Sequence, residues 1–483
     1  MKIGKKNIHK LNDYLWEIPA SFRPQYMHVP ARILASEILL DEIMEDRSLI
    51  QLVNVASLPG IKGASMVMPD VHEGYGFPIG GVAATAYPDG AISPGGIGYD
   101  INCGVRLMLS PLQRFEVTDR LEELSKEMYA QIPSGMGKGG NLVLSDRQMR
   151  EVLKEGAAWA VAQGYGQKED LAFMESHGKL DMADPRLVSE RAKKRGKDQL
   201  GTIGSGNHFV EVDYVDEIFD TAIANAFGLE KGQVVILIHT GSRGLGHQVA
   251  TDNIKTLMAA MEKYGIKIPD RELACVPFNS EEGQNYFKAM CAAANYAWCN
   301  REVISWEARQ AWKNVFGTRG GNLKLMYDVA HNIAKLENHT LNGESAMMIV
   351  HRKGATRAFG PGFSELPEAY REAGQPVIIP GSMGTCSYVL AGTAKSMEIT
   401  FGSCCHGAGR RLSRTAAKKQ VNAPVLKEEL RSRGIYVEAG SFKGIAEEAP
   451  VAYKDVNEVV ETVHASGIAK KVAKLRPMAV VKG

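Results

Sequence analysis

Apolar residues recur along this chain in short blocks, and the spacing within each block predicts an element. Over residues 31–46 the apolar positions repeat at helical spacing, which predicts an amphipathic helix after a short lead-in. An apolar run from Ala64 stops at Pro69-Asp70 and predicts a strand, as does 82–87. Residues 118–132 and 146–164 have the period of exposed helices, with a glycine-rich loop at 133–141 between them. Residues 189–197 read as a basic, solvated helix face. From 208 to 215 the residues alternate as in a half-buried strand, whereas 233–238 is the continuous apolar run of a buried one. Residues 249–264 and 283–316 read as helices, the second long, rich in alanine and aromatics, and suited to packing support. Leu323, Leu325, Tyr327, Val329, His331 and Ile333 alternate, so 322–336 is read as a strand with His331 on its apolar side. Residues 346–350 and 377–379 predict strands. Beyond Pro424 short helices are expected, with Lys470, Lys471, Lys474 and Arg476 forming a basic tail.

The strands share a feature: several end in glycine-punctuated loops that carry an acid, a thiol or an imidazole. Examples are Pro69-Asp-Val-His-Glu-Gly-Tyr-Gly, Gly98-Tyr-Asp-Ile-Asn-Cys-Gly-Val-Arg, Gly204-Ser-Gly-Asn-His-Phe-Val-Glu and His239-Thr-Gly-Ser-Arg-Gly. A buried strand that delivers a reactive side chain into a loop is a common way to build an active site. Because such loops recur from residue 64 to residue 406, one catalytic unit is expected over 1–483. Residues 1–60 would be its lead-in and 61–483 its core, in a mixed α/β (α+β) fold.

Composition narrows the class. Hydrophobic content of 45% and charged content of 23% are ordinary for a soluble globular chain. A net charge of +2 does not advertise a nucleic-acid partner, so such a role must rest on local patches. Seven irregularly spaced cysteines argue against a disulfide framework and for a reducing compartment. With no apolar signal core and no run of membrane-spanning length, a cytoplasmic location and no membrane partner are expected.

Five residues stand where metal ligands would: Asp100, Cys103, His208, His239 and His331. Mixed O, S and N donors suit a borderline divalent ion such as manganese, zinc, iron or cobalt. Spacing alone makes no finger pattern, and each of these residues could instead be an ordinary core side chain. Pro380-Gly381-Ser382-Met383-Gly offers backbone N–H groups to a phosphate, and Glu211 beside Asn207 could accept from the N1–H and N2–H₂ edge of guanine. Neither a Walker A motif nor a dinucleotide fingerprint is present. The stretch Phe401-Gly-Ser-Cys-Cys-His-Gly-Ala-Gly-Arg-Arg places His406 among small residues, with Arg410, Arg411 and Arg414 close behind. That imidazole could be a ligand, an acid/base or a nucleophile. A metal-dependent phosphoesterase and a non-catalytic RNA-binding scaffold are the rival classes.

Together with Tyr327-Asp-Val-Ala-His-Asn, His351-Arg-Lys-Gly-Ala-Thr-Arg and His406-Gly-Ala-Gly-Arg, these motifs resemble, in order from about residue 60 to Lys482, the RtcB family of RNA ligases. The resemblance implies a fold particular to that family, with mixed sheets surrounded by helices. It implies a GTP- and Mn²⁺-dependent enzyme that joins an RNA 3′-phosphate or 2′,3′-cyclic phosphate to a 5′-hydroxyl, in tRNA splicing and RNA repair. Carried onto these residues, Cys103 would bridge two manganese ions, with Asp100 and His208 on one and His239 and His331 on the other. His406 would take GMP. The guanylate pocket would use Asn207, Glu211, His331, Asn332, Pro380, Gly381, Ser382, Met383, Ser387, Gly407, Ala408, Gly409 and Lys482. Arg410 and Arg414, one helical turn apart, would face RNA phosphates. The small protein archease is the implied activator, and a monomer is expected. Asp70 is a further residue that could bind or orient near the site.

Overall fold

A computed structural model describes residues 3–135 and 137–483. Two large sheets form its frame. The first has seven strands, ordered His9–Lys10, Leu15–Ile18, Ala31–Leu34, Ile61–His72, Ile79–Ala86, Glu344–Lys353 and Asn332–Leu341. The second has eight, running through Lys324–Ala330, Gly104–Gln113, Gln233–Thr240, Phe209–Ile218, Ala469–Lys482, Ser387–Gly392 and Pro376–Ile379, with Tyr436–Ala439 pairing Ala469–Lys482 in parallel. The mixed α/β architecture expected from the sequence is present. Among the described residues no helix is long and apolar enough to cross a membrane.

The helix Glu281–Phe316 lies against the eight-stranded sheet, and its residues Tyr286, Trp298, Ile304 and Trp312 join the largest apolar core. At 36 residues it is roughly 54 Å long at 1.5 Å per residue. Ser280 caps its start by accepting from the Gly283 N–H at 3.1 Å. A second core, containing Trp16, Ile33, Val67, Val82 and Val350, packs on the seven-stranded sheet.

Several elements differ from the sequence-based expectation. Residues 31–46 are not one helix. Ala31–Leu34 is a strand between Leu15–Ile18 and Ile61–His72, and the helix Glu37–Ile43 follows it. The apolar spacing there serves both periods, and pairing on two sides decides for the strand. The 146–164 helix is broken at Gly156, whose φ of +59° an L side chain rarely adopts. The 322–336 run is strand on either side of His331, which interrupts the pairing and donates its own N–H to Cys103 O at 2.8 Å.

The largest departure is the basic tail. Residues 469–482 form a strand inside the eight-stranded sheet, paired with Phe209–Ile218 and Ser387–Gly392. Pro477 sits at a register shift where no ladder donor is needed, and Lys470 reaches out to Asp220, so the apolar alternation is masked in the sequence.

Candidate active site

Strand register brings the five donor residues together. Gly104 faces Thr240 on one neighbour and Ala330 on the other, and Phe209 faces His239. Cys103, His208, His239 and His331 therefore gather at one edge of the sheet, though they come from four distant stretches of chain. Cys103 Sγ lies 3.3 Å from His208 Nε2 and 3.4 Å from His239 Nε2. His239 Nε2 lies 3.3 Å from His331 Nε2, and His208 Nε2 is 3.0 Å from Asp100 Oδ2. The donors form two sets, Asp100/Cys103/His208 and Cys103/His239/His331, with Cys103 common to both.

The residues fit cations. Burial pushes the His239 and His331 imidazoles well below their ordinary range, which leaves them neutral with lone pairs to donate. His208 Nδ1 lies 3.0 Å from Ile203 O and 3.1 Å from Arg243 Nη1, contacts that fix the ring with Nε2 facing the cluster. Burial opposes ionisation of Asp100, but the hydrogen bond and charge of His208 outweigh it and hold the carboxyl below its usual range. Burial, with Asp100 beside it, holds the Cys103 thiol well above its ordinary value. A divalent ion is the partner that draws a thiolate from such a position.

His406 follows the short strand Ser403–Cys405, which pairs with Ala355–Arg357. Its ring lies 4.8 Å from that of His331. Asp70, fully buried at the far end of Ile61–His72, accepts from His406 Nδ1 at 2.6 Å and from the His406 backbone N–H at 3.1 Å. The imidazole is thus fixed with its Nδ1 on the carboxylate, on the opposite side of the ring from Nε2. Gly409 is required for this approach. Its φ is +76°, and a Cβ there would lie 2.1 Å from Asp70 O.

A compact cavity of about 200 Å³ opens beside His406. Asn207, Glu211 and Lys482 form one wall. Pro380, Gly381, Ser382 and Met383 form another, and the 406–409 turn, with Gly407 and Ala408, closes a third. Arg410 and Arg414 also reach it. Burial raises the Glu211 carboxyl to about 7 although Lys482 opposes the shift, and burial lowers the Lys482 ammonium.

Three residues expected in this pocket stand behind its walls. Ser387 Oγ accepts from the Gly381 N–H at 3.1 Å and shapes the loop. Asn332 donates to Asp100 O at 3.1 Å and accepts from the Gly354 N–H at 2.8 Å. His331 belongs to the donor cluster and touches the cavity through His406.

Arg410 and Arg414 are not one helical turn apart, because the helix Arg414–Gln420 begins only at Arg414. The Arg410 guanidinium is held by Glu448 Oε1 at 3.1 Å, Tyr453 OH at 3.2 Å and Glu447 O at 2.7 Å. Arg414 remains 54% exposed. The cavity also has walls that sequence reasoning missed: His72, Phe209, Glu448 and Tyr453. His72 stood in a quoted motif and could have been found there. Glu448 and Tyr453 lie in a segment of short helices with no motif to mark them.

Fold and site together define a class: a mixed α/β enzyme in which a two-part Asp/Cys/His donor set lies next to a cation-lined cavity and a carboxylate-held histidine. The family model described as tRNA-splicing ligase RtcB matches residues 51–483, and the chain belongs to the RtcB family. It is 54% identical over 478 residues to the tRNA-splicing ligase RtcB of Archaeoglobus fulgidus, covering 99% of both chains. Identity to the protein of the same name from Thermococcus kodakarensis is 53%, and to that from Methanococcus maripaludis 52%, again covering at least 99% of each chain.

Proposed function

We propose that this protein is a GTP- and manganese-dependent RNA ligase, acting in tRNA splicing and RNA repair, that joins a 3′-phosphate or 2′,3′-cyclic phosphate end to a 5′-hydroxyl end. The observation that carries the reading is His406 beside the donor cluster and the cavity, with Asp70 holding its Nδ1. Guanine would lie against Phe209 and Tyr453, with its N1–H and N2–H₂ edge donating to Glu211 and Lys482 nearby. Backbone N–H groups of the 380–383 and 407–409 turns would bind phosphate oxygens. His406 Nε2 attacks the α-phosphorus; an N–P bond forms as the bond to pyrophosphate breaks. Asp70 keeps the Nδ1 proton and stabilises the positive charge that grows on the ring.

An oxygen of the RNA 3′-phosphate then attacks the same phosphorus and frees the histidine. A cyclic end must first be hydrolysed by water to a 3′-monoester. The 5′-hydroxyl finally attacks the activated 3′-phosphorus, its proton passes to solvent, and GMP leaves. Manganese ions held by Asp100/Cys103/His208 and by Cys103/His239/His331 would neutralise charge on the phosphoryl oxygens. Arg414, half-exposed at the cavity rim, is the residue we assign to RNA phosphates, while Arg410 shapes the pocket wall through Glu448 and Tyr453. We further read residues 1–483 as one catalytic unit, working in the cytoplasm with archease as activator.

The test is incubation with Mn²⁺ and α-labelled GTP or ATP. Label from GTP on the denatured chain is expected. An unlabelled chain that hydrolyses phosphoesters would favour the phosphoesterase class instead.

Base choice supplies a second test, with a pH dependence. Only the ionised Glu211 carboxylate accepts two donors from guanine, and burial places its titration at about 7. GTP affinity should therefore fall as the pH drops through 7 and level off above it. Glu211→Ala should weaken GTP binding and narrow the preference over ATP by roughly 10- to 100-fold. Removal of Lys482 and Gly483 should act in the same direction. Nucleotide titrations of these variants from pH 6 to 8 check both points, and an unchanged preference with a flat pH profile would dismiss the pocket assignment.

A further inference from the structure

The helix Glu281–Phe316 carries three consecutive, fully buried polar residues, Asn300, Arg301 and Glu302; Glu302 pairs with Arg106, and the other two turn to the site. Their hydrogen bonds end on the loops that hold the five donor residues. Asn300 Oδ1 accepts from the N–H groups of Gly201 at 2.9 Å and Thr202 at 3.3 Å. Its Nδ2 donates to Thr202 O at 3.2 Å and Gly241 O at 3.1 Å. Ile203, next in the chain after Thr202, presents the carbonyl that orients His208. Ser242, next after Gly241, donates its N–H to Asp100 Oδ1 at 2.9 Å.

Arg301 serves the other set. Its Nη1 donates to Asn102 O at 2.8 Å and Thr240 O at 3.1 Å, the carbonyls just before Cys103 and just after His239. Its Nε and Nη2 each donate to Asp328 at 2.8 Å, three residues before His331. Nη2 also reaches Asn102 Oδ1 at 3.1 Å. Asn102 has a φ of +53°, which is uncommon outside glycine, and its own Nδ2 is tied to Ala294 O at 2.7 Å.

We infer that Asn300 and Arg301 are positioning residues for the donor cluster. The Asn300 amide sets the Asp100/His208 end, and the Arg301 guanidinium holds the Cys103, His239 and His331 segments in register. The inference rests on the metal-binding reading above. Ligand atoms on loops must keep their places within a few tenths of an ångström, and supporting hydrogen bonds supply that order. A planar guanidinium can grip a turn carbonyl, a strand carbonyl and a carboxylate on a second strand at once. A lysine ammonium carries the same charge without that fork. Asp328 also accepts from Arg106 Nε at 2.8 Å and Trp298 Nε1 at 3.1 Å, so that pair serves the core as well. The bonds to Asn102 O, Thr240 O and Gly241 O, however, fall on residues next to the donors or their supports, which stability alone does not require.

The test uses the full-length protein stripped of metal. Mn²⁺ stoichiometry and affinity are measured by equilibrium dialysis, Co²⁺ by its thiolate charge-transfer absorption, and melting temperature with and without Mn²⁺. Wild type should bind two ions. Arg301→Lys should lose 10- to 100-fold in affinity for one ion, weaken the cobalt–thiolate band and narrow the interval between metal-free and loaded melting temperatures. Asn102→Gly keeps the left-handed backbone and removes only the side-chain bonds. It should show a smaller loss of the same kind, and it carries the test if Arg301→Lys does not fold. A merely structural role would lower both melting temperatures together and leave the interval, stoichiometry and cobalt spectrum unchanged; that result would overturn the inference. A wild type that fails to bind two ions would remove the metal reading and this inference with it, whereas intact two-ion binding in every variant removes this inference alone.

Discussion

His406→Ala forms no covalent adduct from GTP and joins no 3′-phosphate end to a 5′-hydroxyl end, a loss on the order of 10⁶-fold, the scale of removing an enzyme nucleophile. This is the largest effect expected of any single change. The variant should keep its manganese, because the donor atoms belong to other residues. It should also seal RNA supplied with a pre-formed 3′-guanylate, since that step bypasses the histidine. A metal ligand or a general base at this position would be needed in the last step as well, so this substrate separates the roles. The wild-type adduct should be acid-labile and base-stable, as a phosphoramidate is. Asp70→Asn is its companion. It preserves shape but removes the negative charge that faces Nδ1 at 2.6 Å and offers an amide NH₂ that stabilises the wrong tautomer. Adduct formation should fall by roughly 10⁴-fold, the scale set by loss of a tautomer-fixing carboxylate. Labelling of His406→Ala from GTP would end the nucleophile assignment.

Cys103→Ala has the second largest expected effect. The thiol belongs to both donor sets, so one truncation disturbs both sites at once. Manganese stoichiometry should drop from two to one or fewer. Guanylylation and ligation should fall by on the order of 10³-fold or more, as expected when charge stabilisation at a phosphoryl group is lost. The fold should persist, because the change removes a single sulfur atom from a buried position. Replacement of His239 should spare the Asp100/Cys103/His208 set and leave one ion bound. Dialysis against Mn²⁺ with parallel circular dichroism distinguishes these outcomes. Two bound ions and full ligation in Cys103→Ala would sink the shared-ligand arrangement.

Much of this protein is legible from local pattern. The strand ends that carry His208 and His239, the long helix read over 283–316, and the glycine turns around His406 all follow from periodicity and from residue types that only certain backbones accept; the break at His331, inside a run read as one strand, does not. The motifs were enough to name the family. Tertiary structure decided what depends on partners far away in the chain. Asp70 reaches His406 across 336 positions, and its sequence context shows an acid in a loop with no sign of its target. Arg410 looked like a free cation beside Arg414, yet Glu448 and Tyr453 engage it. The 469–482 segment carries the charge pattern of a tail, and only pairing with strands from 209–218 and 387–392 makes it a sheet strand. Asn300 and Arg301 lie in a helix whose period says only that it is buried. What they hold is set by where four other segments cross it. Local sequence encodes the conformation each short stretch prefers and the chemistry it carries. Which stretches meet, and so which atoms share a cation or a proton, is fixed by burial and strand pairing across hundreds of residues, where no local period can record it.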